Sequence, residues 1–217
     1  MSEILNTYLL SAPEIAVPME RADFYREQVA EYKKTGKPTR AVEIVNLFIF
    51  NSVGELLVQK RSYDKAHNAG LLDKSVGGHV RYGDTADFTV MVETVQELQA
   101  PSIVLRDLSD FEKAYKLLRE YLTTIAIVRH VQSKIFLLDK NIEGENVKIA
   151  NRVHLYFGIY AGSVRPADRE AKGVILYSLN ELGEELKKIP DAFTLDMHIL
   201  YKEFGVEMRK FLDSLGK

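Results

Sequence analysis

The 217-residue sequence contains no cysteine, which excludes disulfides, thiolate metal sites and thiol nucleophiles together. It also lacks any run approaching the ~20 apolar residues of a membrane span, and its first residues show no basic-then-apolar signal pattern. A dominant charge sign is missing too: 29 Lys and Arg against 31 Asp and Glu leave a formal net charge of −2. No global field then favours nucleic acid or an anionic membrane, so an anionic ligand would need a local basic cluster. No repeat, low-complexity tract or Pro/Gly/Ser-rich linker divides the chain. With 46% hydrophobic and 28% charged residues, one globular cytoplasmic domain with elaborations is expected. Oligomeric state has no signature in the sequence.

What is present reads as alternating helices and strands. Pro18 suits a first helical turn, so a helix carrying Phe24, Val29 and Tyr32 is expected from there to Gly36. Ala41 to Phe50 and Leu56 to Lys60, separated by Asn51-Ser52-Val53-Gly54, read as two strands and a turn. Residues 61–83, with Gly70, Gly77, Gly78 and Gly83, read as loop. A helix is expected from about Asp84 to Gln99. Ser109 with Glu112 suggests a capping box for another, bearing Ala114, Leu118 and Tyr121. Further strands are expected over Ile125 to Val131, Lys134 to Leu138, Val153 to Tyr160 and Val174 to Tyr177. Ser178 with Glu181 forms a second capping box before a helix that Pro190 ends. The last helix, about Leu195 to Leu215, spaces Leu195, Ile199, Phe204, Met208, Phe211 and Leu215 for one face. Such pieces pack as a mixed sheet flanked by helices.

Chemistry concentrates between Arg61 and Ala100. A basic loop (Arg61, Lys65) leads to Gly77-Gly78-His79-Val80 and then to the helix. At 100° per residue, Phe88, Met91, Val92, Val95 and Leu98 form one apolar stripe, with Glu93 and Glu97 opposite and Gln96 beside them. Two carboxylates one turn apart suit Mg²⁺ or Mn²⁺, which prefer oxygen ligands. The same spacing equally describes a solvated helix face. His67, His130, His154 and His198 show no ligand spacing.

The run from Ser75 through Glu97 resembles the Nudix box, G-x5-E-x7-R-E-U-x-E-E-x-G-U, where U is a bulky aliphatic. Gly78 matches its opening glycine, Asp84 falls at its early acid, and Glu93 and Glu97 match two of its metal-binding glutamates. Val92 replaces the arginine, Gln96 the remaining glutamate and Gln99 the late glycine, so the box is degenerate. Arg40-Ala41, Leu57 to Ser62, Lys65, Gly70 and Asp73 are similar to the isopentenyl-diphosphate-isomerase branch of that superfamily.

The resemblance implies an α/β fold, a Nudix-type α/β/α sandwich around a mixed β-sheet. It implies an N-terminal extension over 1–37 and a Nudix-like domain over 38–217 with a helical insertion near 101–150. It further implies Mg²⁺ or Mn²⁺ on Glu93 and Glu97, with Gln96, Asp84 and Glu170 as weaker ligands. A diphosphate would be gripped by Arg40, Arg61, Lys65 and Arg81 beside Gly77, Gly78 and His79. The isomerase branch has a cysteine where this chain has Gly77 and a histidine where it has Thr39, so isomerisation is not expected.

Two functions follow as expectations. One is metal-dependent hydrolysis of a small diphosphate compound, nucleoside diphosphate-linked ones included, with Glu93 and Glu97 as catalytic residues. The other is a non-catalytic ligand-binding or sensor protein that keeps the pocket, suggested by Val92, Gln96 and Gln99. Neither nucleic acid nor membrane is an expected partner.

Overall fold

The computed structural model describes residues 3–64, 67–142, 144–164 and 171–216. Strands β1 (Ile4–Leu9) and β2 (Ala12–Glu20) form an antiparallel hairpin, followed by α1 (Arg21–Thr35). β3 (Arg40–Phe50) and β4 (Leu56–Arg61) precede two short strands, β5 (Leu72–Asp73) and β6 (Val76–His79). After them come α2 (Ala86–Leu98), β7 (Ser102–Leu105), α3 (Leu108–Leu118) and the long strands β8 (Ala126–Ile142) and β9 (Glu145–Ile159). β10 (Ala171–Tyr177), α4 (Leu179–Lys188) and α5 (Leu195–Ser214) complete the chain. The main sheet order is β10-β4-β3-β9-β8-β7, with β1 and β6 also paired to β3 and β5 to β4.

The sheet is mixed: β3 lies parallel to β9 and β7 parallel to β8, while β8 and β9 run antiparallel. Every residue of β3 is buried, as expected of a strand covered on both faces. Its odd-numbered side chains Val45, Leu47 and Ile49 pack with Val90 and Leu98 of α2. Its even-numbered side chains divide between two further clusters. Val42 and Ile44 join Leu5 and Phe24 of α1, whereas Phe48 and Phe50 join Phe111, Phe204, Met208 and Phe211 from α3 and α5. Asn46 lies between those two clusters and faces a cleft. This is the expected α/β sandwich around a mixed sheet.

Several local expectations are corrected. Pro18 belongs to β2, not to a helix, opposite Asn6; among the described residues β2 pairs with β1 alone, and an edge strand tolerates the missing N–H. The 61–83 segment contains β5 and β6, so Gly77 and Gly78 are strand residues paired with Asn46 and Val45, not a turn. Asp107, not Ser109, caps α3, accepting from Ser109 N and Asp110 N. The two strands expected over 125–138 are one strand with a bulge between His130 and Gln132. The Ser178–Glu181 capping box is present in full.

The helix carrying the box residues needs the largest correction. Phe88, Met91 and Val95 are about half exposed, while Ala86, Thr89, Val90, Thr94, Glu97 and Leu98 form its buried face. Three members of the apolar stripe, Phe88, Met91 and Val95, therefore face outward, while Leu98 is in the core. Glu93 and Glu97 are on the protein side of the helix.

Candidate functional site

A cleft of about 680 Å³ opens between α1, β6, the tip of the β8–β9 hairpin and the start of α5. That volume lies in the ~300–1,000 Å³ range of small-molecule sites. Its lining includes five Lys or Arg side chains (Arg21, Arg61, Lys74, Arg81, Lys140) and five carboxylates (Glu3, Asp73, Glu93, Asp139, Asp196).

The α2 side supplies Glu93 and Gln96. Thr85 starts this helix by accepting from Phe88 N, and Gln99 ends it in a left-handed conformation with φ 55°. Gln99 occupies the position where the Nudix pattern has glycine, so this chain adopts a glycine-type terminus without glycine. The carboxylate of Glu93 lies so close to Gly78 that a Cβ at position 78 would overlap it. Lys74 similarly crosses Gly77. The paired glycines let one acidic and one cationic chain lie flat across β6.

Asp73 organises the opposite wall. It is buried, at 4% exposure, and binds Arg61 at 3.1 Å, Lys74 at 3.3 Å and the Thr194 hydroxyl at 3.0 Å. Burial alone would raise its pKa, but the charges of Lys74 and Arg61 overcome that and hold the carboxyl below its usual range. Burial likewise works against the Lys74 ammonium, yet Asp73 and Asp196 raise its pKa. The cationic wall is thus fixed in its charged form. Arg61 also donates to the carbonyl of His67 at 3.2 Å. Buried Arg61 Nε and Asn46 Oδ1 have no hydrogen-bond partner among the described residues.

His79 lies at 3.1 Å from the Tyr25 hydroxyl, to which Lys140 also donates at 3.4 Å. Burial first, then the nearby charges of Arg21, Lys140 and Lys74, push its imidazole well below the usual pKa. It stays neutral while a histidine in the unfolded chain gains a proton near 6.5. The unfolded state then binds more protons as pH falls below that value, so stability must decline. We expect denaturant midpoints to fall between pH 7.5 and 5, and His79→Gln to flatten that slope. An unchanged slope in the variant would remove His79 from the cause.

The structure thus gathers Arg61, Gly77, Gly78, His79, Arg81, Glu93 and Gln96 around one cleft. Glu97 is buried behind them at 3% exposure, accepting from Gln59 at 3.1 Å. Arg40 is elsewhere, bound to Glu27 and Thr7 beneath α1, so it does not reach the anion grip. Asp84 does not line the cleft either; its carbonyl accepts from Asn6. Lys65 and Glu170 lie outside the described residues. Sequence reasoning missed Lys74, Asp73 as an organiser, Arg21, Tyr25 and Lys140, because these meet only through tertiary packing.

No protein-family model matches the sequence. Isopentenyl-diphosphate Delta-isomerase of Serratia proteamaculans is 26% identical over 167 residues, covering 76% of this chain and 78% of that protein. A Nudix hydrolase of Deinococcus radiodurans is 36% identical over 84 residues, covering 36% of this chain and 49% of the relative. Among solved structures, a Deinococcus radiodurans protein superposes with TM-score 0.61 at 18% identity, over 93% of this chain and 98% of its own. Part of the sequence is thus similar to Nudix-named proteins, and the fold is shared with the Deinococcus radiodurans structure. One relative bears the name of an isomerase and another that of a hydrolase.

Proposed function

We propose that this cleft binds a small diphosphate compound and that the protein hydrolyses its diphosphate bond with a divalent cation. The observation carrying this reading is the Glu93 carboxylate seated over Gly78 in the same cleft as Arg61 and Lys74. Among the described residues, no group of three or more His, Asp or Glu side chains is arranged as a metal cage. The donors present are the Glu93 carboxylate and the Gln96 amide oxygen, with Glu97 behind them. They fit a Mg²⁺ or Mn²⁺ ion that completes its shell with waters and substrate phosphate oxygens. When bound, such an ion polarises phosphoryl oxygens and lowers the pKa of coordinated water.

The remaining tasks fall to the chain itself. Arg61 and Lys74, held charged by Asp73, supply donors for phosphate oxygens. Arg61 Nε and Asn46 Oδ1, which lack partners among the described residues, would gain them when a polar ligand enters. Neutral His79 can donate or accept a hydrogen bond without adding charge. Gly77 brings no side chain able to move a proton, which favours hydrolysis over isomerisation.

The test is release of phosphate or nucleoside monophosphate from a panel of diphosphate-linked compounds with Mg²⁺ or Mn²⁺. Turnover should cease with EDTA and fall at least tenfold in Glu93→Gln, as expected for a lost metal-holding carboxylate. A second reading, a non-catalytic binding protein, is favoured by the sparse donor set on α2. It requires no turnover, with calorimetric binding that persists in EDTA and weakens in Arg61→Ala. Absence of both turnover and binding across the panel would refute both readings.

A further inference from the structure

On the α2 face of the sheet, away from the cleft, polar side chains from β3, β9 and β8 form a chain. Glu43 is buried, and its carboxylate accepts from Asn6 Nδ2 at 2.9 Å, Tyr8 Oη at 2.7 Å and His154 Nε2 at 2.6 Å. Burial would raise its pKa, but the bonds from His154 and Tyr8 outweigh it and keep the group ionised. An ionised carboxylate only accepts. It therefore accepts a hydrogen bond from His154 Nε2, and in the neutral imidazole Nδ1 is then the nitrogen that carries the lone pair.

Ser133 Oγ lies 2.7 Å from that Nδ1 and 3.0 Å from His130 Nε2. Because Nδ1 accepts, the serine hydroxyl must donate to it. The remaining bond then runs from His130 N–H to the serine oxygen. With His154 neutral, these directions form one relay that starts at the Glu43 carboxylate.

The backbone is shaped for this meeting. Residues three apart in a regular strand point to opposite faces. The β8 bulge pairs His130 with Tyr156, Gln132 with Leu155 and Ser133 with His154, which returns positions 130 and 133 to one face. Bulges commonly re-aim side chains in this manner near reactive sites. Ser133 is exposed, so burial does not force its hydroxyl onto the histidines; water was an available partner. A hydroxyl donating to a base that a third group orients is the arrangement that activates a nucleophile.

We propose that Ser133 is a nucleophile, with His154 as its base and Glu43 as a positioning residue, forming a second reactive site for small activated carboxylic esters. Ser133 Oγ bonds to the ester carbonyl carbon as its proton passes to His154 Nδ1. The carbon–oxygen bond to the leaving group breaks, and that oxygen takes the proton and departs as the alcohol. Water repeats the sequence on the acyl-serine, releasing the carboxylic acid and restoring the hydroxyl.

The test uses the full chain with p-nitrophenyl acetate and, separately, a fluorophosphonate that loses fluoride to the same nucleophile. The expected results are a nitrophenolate burst near one equivalent per chain and one phosphonyl adduct, mapped by mass spectrometry to Ser133. Ser133→Ala, at an exposed position, should fold normally and lose both. His154→Gln should slow labelling at least tenfold, within the usual contribution of a general base.

In Glu43→Gln the amide oxygen takes the bonds from Asn6 and Tyr8, turning its NH₂ toward His154. The imidazole proton then moves to Nδ1, visible by ¹⁵N NMR, and labelling should fall at least tenfold. An adduct absent from Ser133, equal labelling of Ser133→Ala, or folded His154→Gln labelling at the parent rate would each overturn the proposal.

Discussion

Asp73→Asn is expected to lower stability by about 3–5 kcal/mol, the usual cost of breaking a buried ion pair from one side. The carboxylate is buried and shared by Arg61, Lys74 and the Thr194 hydroxyl. The amide retains the shape but removes the charge, leaving two cations close together in a poorly solvated wall. Asp196, at 3.4 Å from Lys74, compensates for only one of them. Because Asp73 connects β5 to the start of α5, the loss should appear as global unfolding, measurable as a shift in urea midpoint. The same carboxyl has a folded pKa below its ordinary 3.8. Its contribution is therefore complete above about 4 and is lost as pH falls through that value toward the folded pKa. Wild type and variant should converge in stability in strong acid. A variant as stable as wild type at pH 7 would show that the wall does not depend on this charge.

Gly78→Ala is expected to separate folding from chemistry. The added Cβ would overlap the carboxylate of Glu93, a flexible chain end that can swing aside. The strand itself accepts alanine, because the φ of Gly78 is not in the left-handed region. Stability should change by less than about 1 kcal/mol, since reduced unfolded-state entropy partly offsets the local rearrangement. The proposed hydrolysis should nevertheless fall about a hundredfold, the order expected when a catalytic group is displaced by ~1 Å. Steady-state rates beside urea midpoints decide the matter. Full activity in a folded variant would show that the resting place of Glu93 is irrelevant to turnover.

Both variants show which features were legible in the sequence. The Ser178–Glu181 cap and the helix reaching Leu98 were readable because their signals are local. The resemblance to the box rests on Gly78, Glu93 and Glu97, of which the fold brings Gly78 and Glu93 together at the cleft. The orientation of that helix was not: the sequence groups Phe88, Met91 and Val95 with Leu98 on one stripe, whereas the fold exposes the first three and buries Leu98 with Thr94 and Glu97. The inward face mixes apolar Ala86, Val90 and Leu98 with polar Thr89, Thr94 and Glu97, so apolarity alone does not mark it. Pro18 misled for a related reason, since it is equally compatible with a first helical turn and an unpaired strand edge. Asp73, Lys74, Tyr25 and Lys140 converge from β5, α1 and the distant β8–β9 hairpin, a meeting that spacing along the chain does not encode. The Glu43–His154–Ser133 chain was hidden similarly, because its register depends on the bulge in β8.

Among the described residues the cleft is lined by five cations and five carboxylates, so this lining carries little net charge to draw a ligand from a distance. A phosphorylated visitor would arrive by unguided collision and be sorted only after entry, when its oxygens compete with Asp73 and Asp196 for guanidinium and ammonium already engaged. Discrimination would then reside in a swap of partners rather than in attraction from afar.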